Sequence, residues 1–198
     1  EIHRHYFIVG RGLLRWLNGR YLSIPPQDIQ FTYSHYDKPS LVNQPDLHFN
    51  VSHGQGKLII GFAWEAEIGV DIEEIRVLDS MDDIARRYFS ALENVDYAQV
   101  TSAQKAEAFF NCWTRKEAFI KAVGEGLSYP LDVFDVSLLP GELARIRRVK
   151  GSEAEAARWH LVSLTPFAGF RGTAVIQKKE WKFNYWDGDQ IDLAQISR

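Results

Sequence analysis

Cysteine is almost absent from the 198 residues: Cys112 stands alone, so no disulfide can close within the chain. A reducing compartment suits such a sequence, and the cytoplasm is the expected location. With no redox or metal partner nearby, Cys112 reads as a core thiol. Long apolar runs are lacking too. The longest, KLIIGFAW at 57–64, is far too short to span a bilayer, and no signal peptide is evident. Charge of one sign is not in excess: the net value is −3, which argues for neither nucleic acid nor an anionic membrane as partner. A glycine loop of the form GxxxxGK[ST] is missing, which argues against a nucleotide-cradling phosphoryl or nucleotidyl enzyme.

What is present suffices for a packed core, since 45% of residues are hydrophobic and 13% aromatic. Residues 11–22 repeat apolar side chains at helical spacing (Leu13, Leu14, Leu17, Tyr21), and Pro25-Pro26 closes that helix. IQFTYS alternates as a strand. DLHFNVS and KLIIGFAW flank the turn signal HGQG, which predicts a hairpin over 47–64. IGVDIEEI follows as a further strand. Beyond residue 78 the period becomes helical. Ser80 is placed to cap one helix, and Ser102 a longer one that stops at Gly124. The tail returns to strands at VFDVSL, ARIRRVK, WHLVSL, GTAVIQ and WKFNYW, with an exposed turn at 150–158. Hairpins grouped with helices, without βαβ alternation, predict an α+β fold.

Two places invite chemistry. In GVDIEEI, Asp71 and Glu73 fall on one face of a strand, with Val70 and Ile72 on the other. On the long helix Glu117 and Lys121 lie four apart and share a face. Taken singly, these are a wet strand face and a surface ion pair worth about 0.3–0.5 kcal/mol. Taken together, Asp71, Glu73 and Glu117 form a set of hard oxygen ligands able to converge on Mg²⁺, which keeps positions open for substrate phosphates. A divalent ion would relieve the repulsion between the acids. The neighbouring lysines and the arginines near the start of the chain would grip phosphate oxygens, which suggests a pyrophosphate substrate. Arg145, Arg147, Arg148 and Lys150 read as a basic, solvated strand edge.

The motifs at these places resemble those of the 4′-phosphopantetheinyl transferases, in particular the longer, pseudo-dimeric type. GVDIE at 69–73 is similar to that family's acidic motif, WTRKEAFIKAVGEGL at 113–127 to its W-x-x-K-E-x-x-x-K block, and FNVSH at 49–53 to its hairpin motif. RHYFIVGRGLLR at 4–15 and DKPSL at 37–41 add weaker matches.

The resemblance implies two similar α+β halves, 1–66 and 67–198, with the active site in the cleft between them. The family's strand and helix upstream of residue 4 are missing, so the first half is expected to be truncated at its start. The implied activity is that of a holo-[acyl-carrier-protein] synthase. The phosphopantetheine arm of coenzyme A would pass to a serine of an apo acyl or peptidyl carrier protein, releasing adenosine 3′,5′-bisphosphate. Asp71, Glu73 and Glu117 would ligate Mg²⁺, or Mn²⁺ in its place. Glu117 would be the base, and Lys121 would steady or protonate the leaving oxygen. Coenzyme A would be held by Arg4, Arg11, Ser52, His53, Lys116 and Lys121, with Lys38 and Pro39 at the adenine. Arg86 and Arg87 would face the acidic carrier, and a monomer is expected. The alternative is a non-catalytic module that binds carrier protein or coenzyme A with the same fold.

Overall fold

In the computed structural model, residues 2–178 and 181–188 are described, residues 2–7 by their backbone alone. The chain opens with helix α1 (Ile2–Leu22), then strands β1 (Phe31–Tyr33), β2 (Pro39–Leu41), β3 (Leu47–Gly54), β4 (Lys57–Trp64) and β5 (Ile68–Glu74). Helices α2 (Met81–Tyr88), α3 (Ala91–Ala98) and α4 (Lys105–Val123) follow. The chain continues through β6 (Phe134–Val136), β7 (Ile146–Val149), the short helix α5 (Glu153–Ala156), β8 (His160–Leu164) and β9 (Phe170–Ile176). The fold is α+β, as the grouping of hairpins and helices predicts. All the strand pairs are antiparallel among the described residues: β1 with β2, β3 with β4, β6 with β7, and a sheet ordered β5-β9-β8.

Four elements depart from expectation. The segment 150–158 is not a plain turn: Ser152 caps α5, whose Ala156 is buried. Residues 181–186 form no strand, and their aromatic rings are exposed. The first helix extends well upstream of residue 11. Helix α3 escaped the periodicity, although its capping box is written in the letters: the Ser90 hydroxyl accepts from the Glu93 N–H, and Glu93 reaches back to the Ser90 N–H.

Helix α4 is the centre of the larger core. It is buried on most of its faces, the polar Asn111, Thr114, Arg115 and Lys116 included, as a helix surrounded by protein is. Phe109, Phe110, Cys112, Ala118, Phe119, Ile120 and Ala122 are all buried. They pack with Phe89, Tyr97, Phe134, Val136 and Val175. Burial raises the Cys112 thiol well above its usual range, in keeping with an inert core residue. A second cluster gathers Leu14, Ile29, Leu41, Leu47 and Phe49 around α1 and the first strands. A third, with Ala63, Ala66, Ile68, Val70, Leu164 and Ala174, lies where β4 meets the β5-β9-β8 sheet.

Inside the larger core sits an ion pair with no solvent exposure. Lys116 Nζ lies 2.7 Å from Glu93 Oε2, both side chains at 0% exposure. The ammonium also donates to the Leu131 and Phe134 carbonyls at 2.6 and 2.8 Å. Glu93 accepts from the Val136 and Ser90 N–H groups at 2.7 Å each. Burial pushes the Glu93 carboxyl up, and Lys116 pulls it back. The supposed basic strip is likewise committed: Arg147 bridges Asp96 and Glu142, and Arg148 meets Asp135.

Breaking a buried pair from one side strands a charge. Lys116→Met is therefore expected to cost about 3–5 kcal/mol in urea unfolding. Lys116→Met combined with Glu93→Gln should cost less than the single change, because no uncompensated charge remains. Equal losses in the two would contradict this account of the pair.

Candidate functional site

Strand β5 is clasped on every side. One edge pairs with β9 over the full strand, Asp71 opposite Thr173 and Glu73 opposite Arg171. On the other edge, side chains of β3 meet its backbone: Asn50 Oδ1 accepts from the Val70 N–H at 2.9 Å and Ser52 Oγ from the Ile72 N–H at 3.3 Å. Gly61 of β4 packs on the Val70 and Ile68 side chains, where a Cβ would fall within 2.8 Å of both. Strand alternation turns Gly69, Asp71 and Glu73 toward α4. Gly69 makes this approach possible, since any Cβ there would overlap the Ala118 carbonyl and the Ala122 backbone.

The acids therefore meet the helix. Asp71 is buried, at 4% exposure. Its Oδ1 accepts from Lys121 Nζ at 2.7 Å and from Ser52 Oγ at 2.9 Å, while its Oδ2 is buried with no hydrogen-bond partner. Lys121 Nζ also donates to Ser52 Oγ at 3.1 Å. Glu73 and Glu117 feel the same negative neighbour. Burial, then Asp71, raises the Glu73 carboxyl, and Arg76 and Lys121 lower it. Burial, then Asp71, pushes Glu117 up to about 7, with Lys121 opposing and Glu73 adding to the rise. One turn of helix and one strand face thus hold three interacting carboxylates around one ammonium. That ammonium is what offsets the charge of Asp71 here.

The donor set suits a hard cation. All three acids offer oxygen, Asp71 keeps one oxygen unpartnered, and the Lys121 ammonium occupies the other as a positive charge would. Among the described residues, no three or more histidine, cysteine or acidic side chains are grouped so as to hold a metal ion by themselves. Mg²⁺ is ordinarily held by one or two carboxylates with water and substrate phosphates, and does not need such a cage.

The remaining candidates, Lys116 apart, lie on other elements. His53 is exposed at the end of β3, opposite Leu58 and one residue past Ser52. Arg11 donates to the Tyr33 hydroxyl at 2.9 Å and lies over the Phe31 and Tyr33 rings. Pro39 is in β2, opposite Tyr33. The Lys38 ammonium rests on Glu67 at 2.6 Å and on the Ala122 carbonyl at 2.8 Å. Arg4 lies outside the residues whose side chains are described. Lys116 is a correction. It was expected to grip phosphate, but its ammonium is enclosed with Glu93, where no substrate reaches it. Asn50 was missed. Its signal was a polar residue two before Ser52 in an alternating strand, which puts both on one face.

A sequence profile of the 4′-phosphopantetheinyl transferase superfamily matches residues 67–177. The chain is similar to the 4′-phosphopantetheinyl transferase HetI of Nostoc sp., with 30% identity over 93% of this chain and 76% of that protein. It is similar to the 4′-phosphopantetheinyl transferase Sfp of Bacillus subtilis, with 37% identity over 68% of this chain and 58% of that one. The 4′-phosphopantetheinyl transferase AcpT of Salmonella typhimurium is 33% identical over 65% of this chain and 67% of its own length. Against the Bacillus subtilis relative, the match spans little more than half the curated protein. A profile covering β5, α4 and the sheet behind them, with a relative aligned along nearly the whole chain, places this protein in the 4′-phosphopantetheinyl transferase superfamily.

Proposed function

We propose that the protein transfers the 4′-phosphopantetheine arm of coenzyme A to a serine hydroxyl of an apo acyl or peptidyl carrier protein. The reading rests on one observation: Asp71, Glu73, Glu117 and Lys121 converge between β5 and α4. Family membership supports it. Residues 1–66 and 67–198 act as two halves with coenzyme A between them, and the protein works as a cytoplasmic monomer.

Asp71, Glu73 and Glu117 would hold Mg²⁺, or Mn²⁺ in its place. The metal supplies Lewis-acid neutralisation of the charge that grows on the phosphate oxygens. Glu117, directly or through a water, takes the proton from the attacking serine hydroxyl. The serine oxygen forms a bond to the phosphorus that carries the pantetheine arm. The anhydride bond to the adenosine-side phosphate breaks, and its electron pair leaves on adenosine 3′,5′-bisphosphate. Lys121, already within 2.7 Å of Asp71, faces the leaving oxygen and balances its charge. Ser52 orients Asp71 and, with His53 and Arg11, meets the 3′-phosphate. Arg86 and Arg87, both exposed on α2, face the carrier.

The assay is mass addition of the arm to an apo carrier incubated with coenzyme A and Mg²⁺. Asp71→Ala and Glu117→Gln should each lower the rate by at least about 10²-fold, the lower range for a lost catalytic acid–base group, without unfolding the protein. Chelation should abolish transfer, and Mg²⁺ should restore it. Carrier binding without turnover would favour the non-catalytic alternative. Wild-type rates in either variant would overturn the assignment.

The raised carboxyls also predict a stability profile for the metal-free chain. The folded state holds the Glu117 proton more tightly than the unfolded chain does. Its contribution is thus complete below about 4.5 and lost as pH rises to about 7. Glu73 adds in the same direction. The ceiling for Glu117 is about 3 kcal/mol, at roughly 1.4 kcal/mol per pKa unit. Urea unfolding between pH 4.5 and 8 should show this fall, Glu117→Gln should flatten it, and Mg²⁺ should reduce it. An identical slope in Glu117→Gln would refute the assignment.

A further inference from the structure

We propose that Lys38 is a positioning residue. It ties the first half of the chain to the C-terminal end of α4 and so fixes Glu117 and Lys121 against β5. The inference rests on the reading of α4 as the helix that carries the base, and it departs from the role in adenine binding that the resemblance implied for Lys38.

The geometry of the tether is specific. Lys38 belongs to a turn held by its own hydrogen bonds: the Ser34 hydroxyl accepts from the Tyr36 and Lys38 N–H groups at 3.2 and 3.1 Å, and the Ser34 N–H donates to the Lys38 carbonyl at 3.0 Å. From there the side chain crosses to α4 and donates to the Ala122 carbonyl at 2.8 Å. The last carbonyls of a helix lack partners within it. A cation there satisfies one of them and meets the negative end of the helix dipole. Room for the lysine stem comes from Gly124, which ends α4 at φ 87° and whose missing Cβ would sit 3.0 Å from Lys38 Cδ. Glu67, just before β5, accepts the same ammonium at 2.6 Å and is in turn met by His48 Nδ1 of β3 at 3.2 Å. The ammonium therefore joins three segments: the β1–β2 turn, the start of β5 and the end of α4. Ala122 follows Lys121 directly, so movement of this carbonyl moves the residue that grips Asp71. A side chain with 17% exposure and two short hydrogen bonds is held by the protein itself before any ligand arrives.

The test uses Lys38→Met, which keeps the apolar stem and removes the ammonium, and Lys38→Arg, which keeps a charged donor. Amide hydrogen exchange is followed by mass spectrometry on the metal-free protein, alongside kcat and KM for coenzyme A with an apo carrier. In Lys38→Met, exchange in the last two turns of α4 should rise about tenfold while β8 stays protected, as for a local opening. Turnover should fall about tenfold, the scale of a small misplacement of catalytic groups, with KM for coenzyme A within about twofold of wild type. Lys38→Arg should keep α4 protected. Unchanged exchange in Lys38→Met overturns the proposal, as does a rise spread evenly over the chain. A raised KM with kcat intact also overturns it, because Lys38 would then touch coenzyme A itself. The exchange result is independent of any activity. A chain that transfers nothing would refute the proposed function and leave the tether to be judged by exchange alone.

Discussion

A buried carboxylate with one oxygen engaged and one unpartnered governs the arrangement of this molecule. Asp71 lies between a strand edge and a helix, held by Ser52 from one side and Lys121 from the other. A carboxylate in that position is costly unless a positive charge stays close. That requirement links three parts of the chain. β3 must lie along β5, α4 must come within side-chain reach, and both must stay there. Gly69 meets the second condition by leaving space where a side chain would stand, and Gly61 does the same for the Val70 and Ile68 side chains where β4, the hairpin partner of β3, meets β5. Asn50 and Ser52 meet the third by bonding the N–H groups that β5 presents on its unpaired edge.

The two lysines of the helix motif illustrate how a helix divides neighbouring letters between tasks. Lys116 and Lys121 are five apart, which turns them about 140° from each other around the axis. One points into the core and completes a fully enclosed pair with Glu93. The other, four residues after Glu117, shares its face and reaches Asp71. The first lysine anchors α4 to α3 and β6, and the second supplies charge at the site. The rigidity on one side allows precision on the other, because a helix fixed by a desolvated ion pair and a dense aromatic cluster resists sliding along β5.

Much of the site was legible from letters because it is periodic. A strand places residues two apart on one face, and a helix does so for residues four apart. Those rules alone paired Asp71 with Glu73 and Glu117 with Lys121. The hairpin at 47–64 was legible for a similar reason, since a turn signal sat between two alternating runs. Helix α3 was readable in principle from Ser90 and Glu93, but its weak apolar stripe hid it. The aromatic run at 181–186 has strand-like letters and no partner strand among the described residues, and composition is silent on pairing.

The sequence by itself determined the two acidic faces, because these depend on spacing along one element; the order of its elements carried the fold class, and its motif blocks carried the resemblance to the family. The tertiary structure alone decided which charges stand together. The joining of Lys38 to Ala122, Glu93 to Lys116 and Asp71 to Lys121 spans from 23 to 84 residues of chain. No local period encodes such distances. They follow from which faces pack, and packing is settled by volume and by the need of each buried charge for a partner.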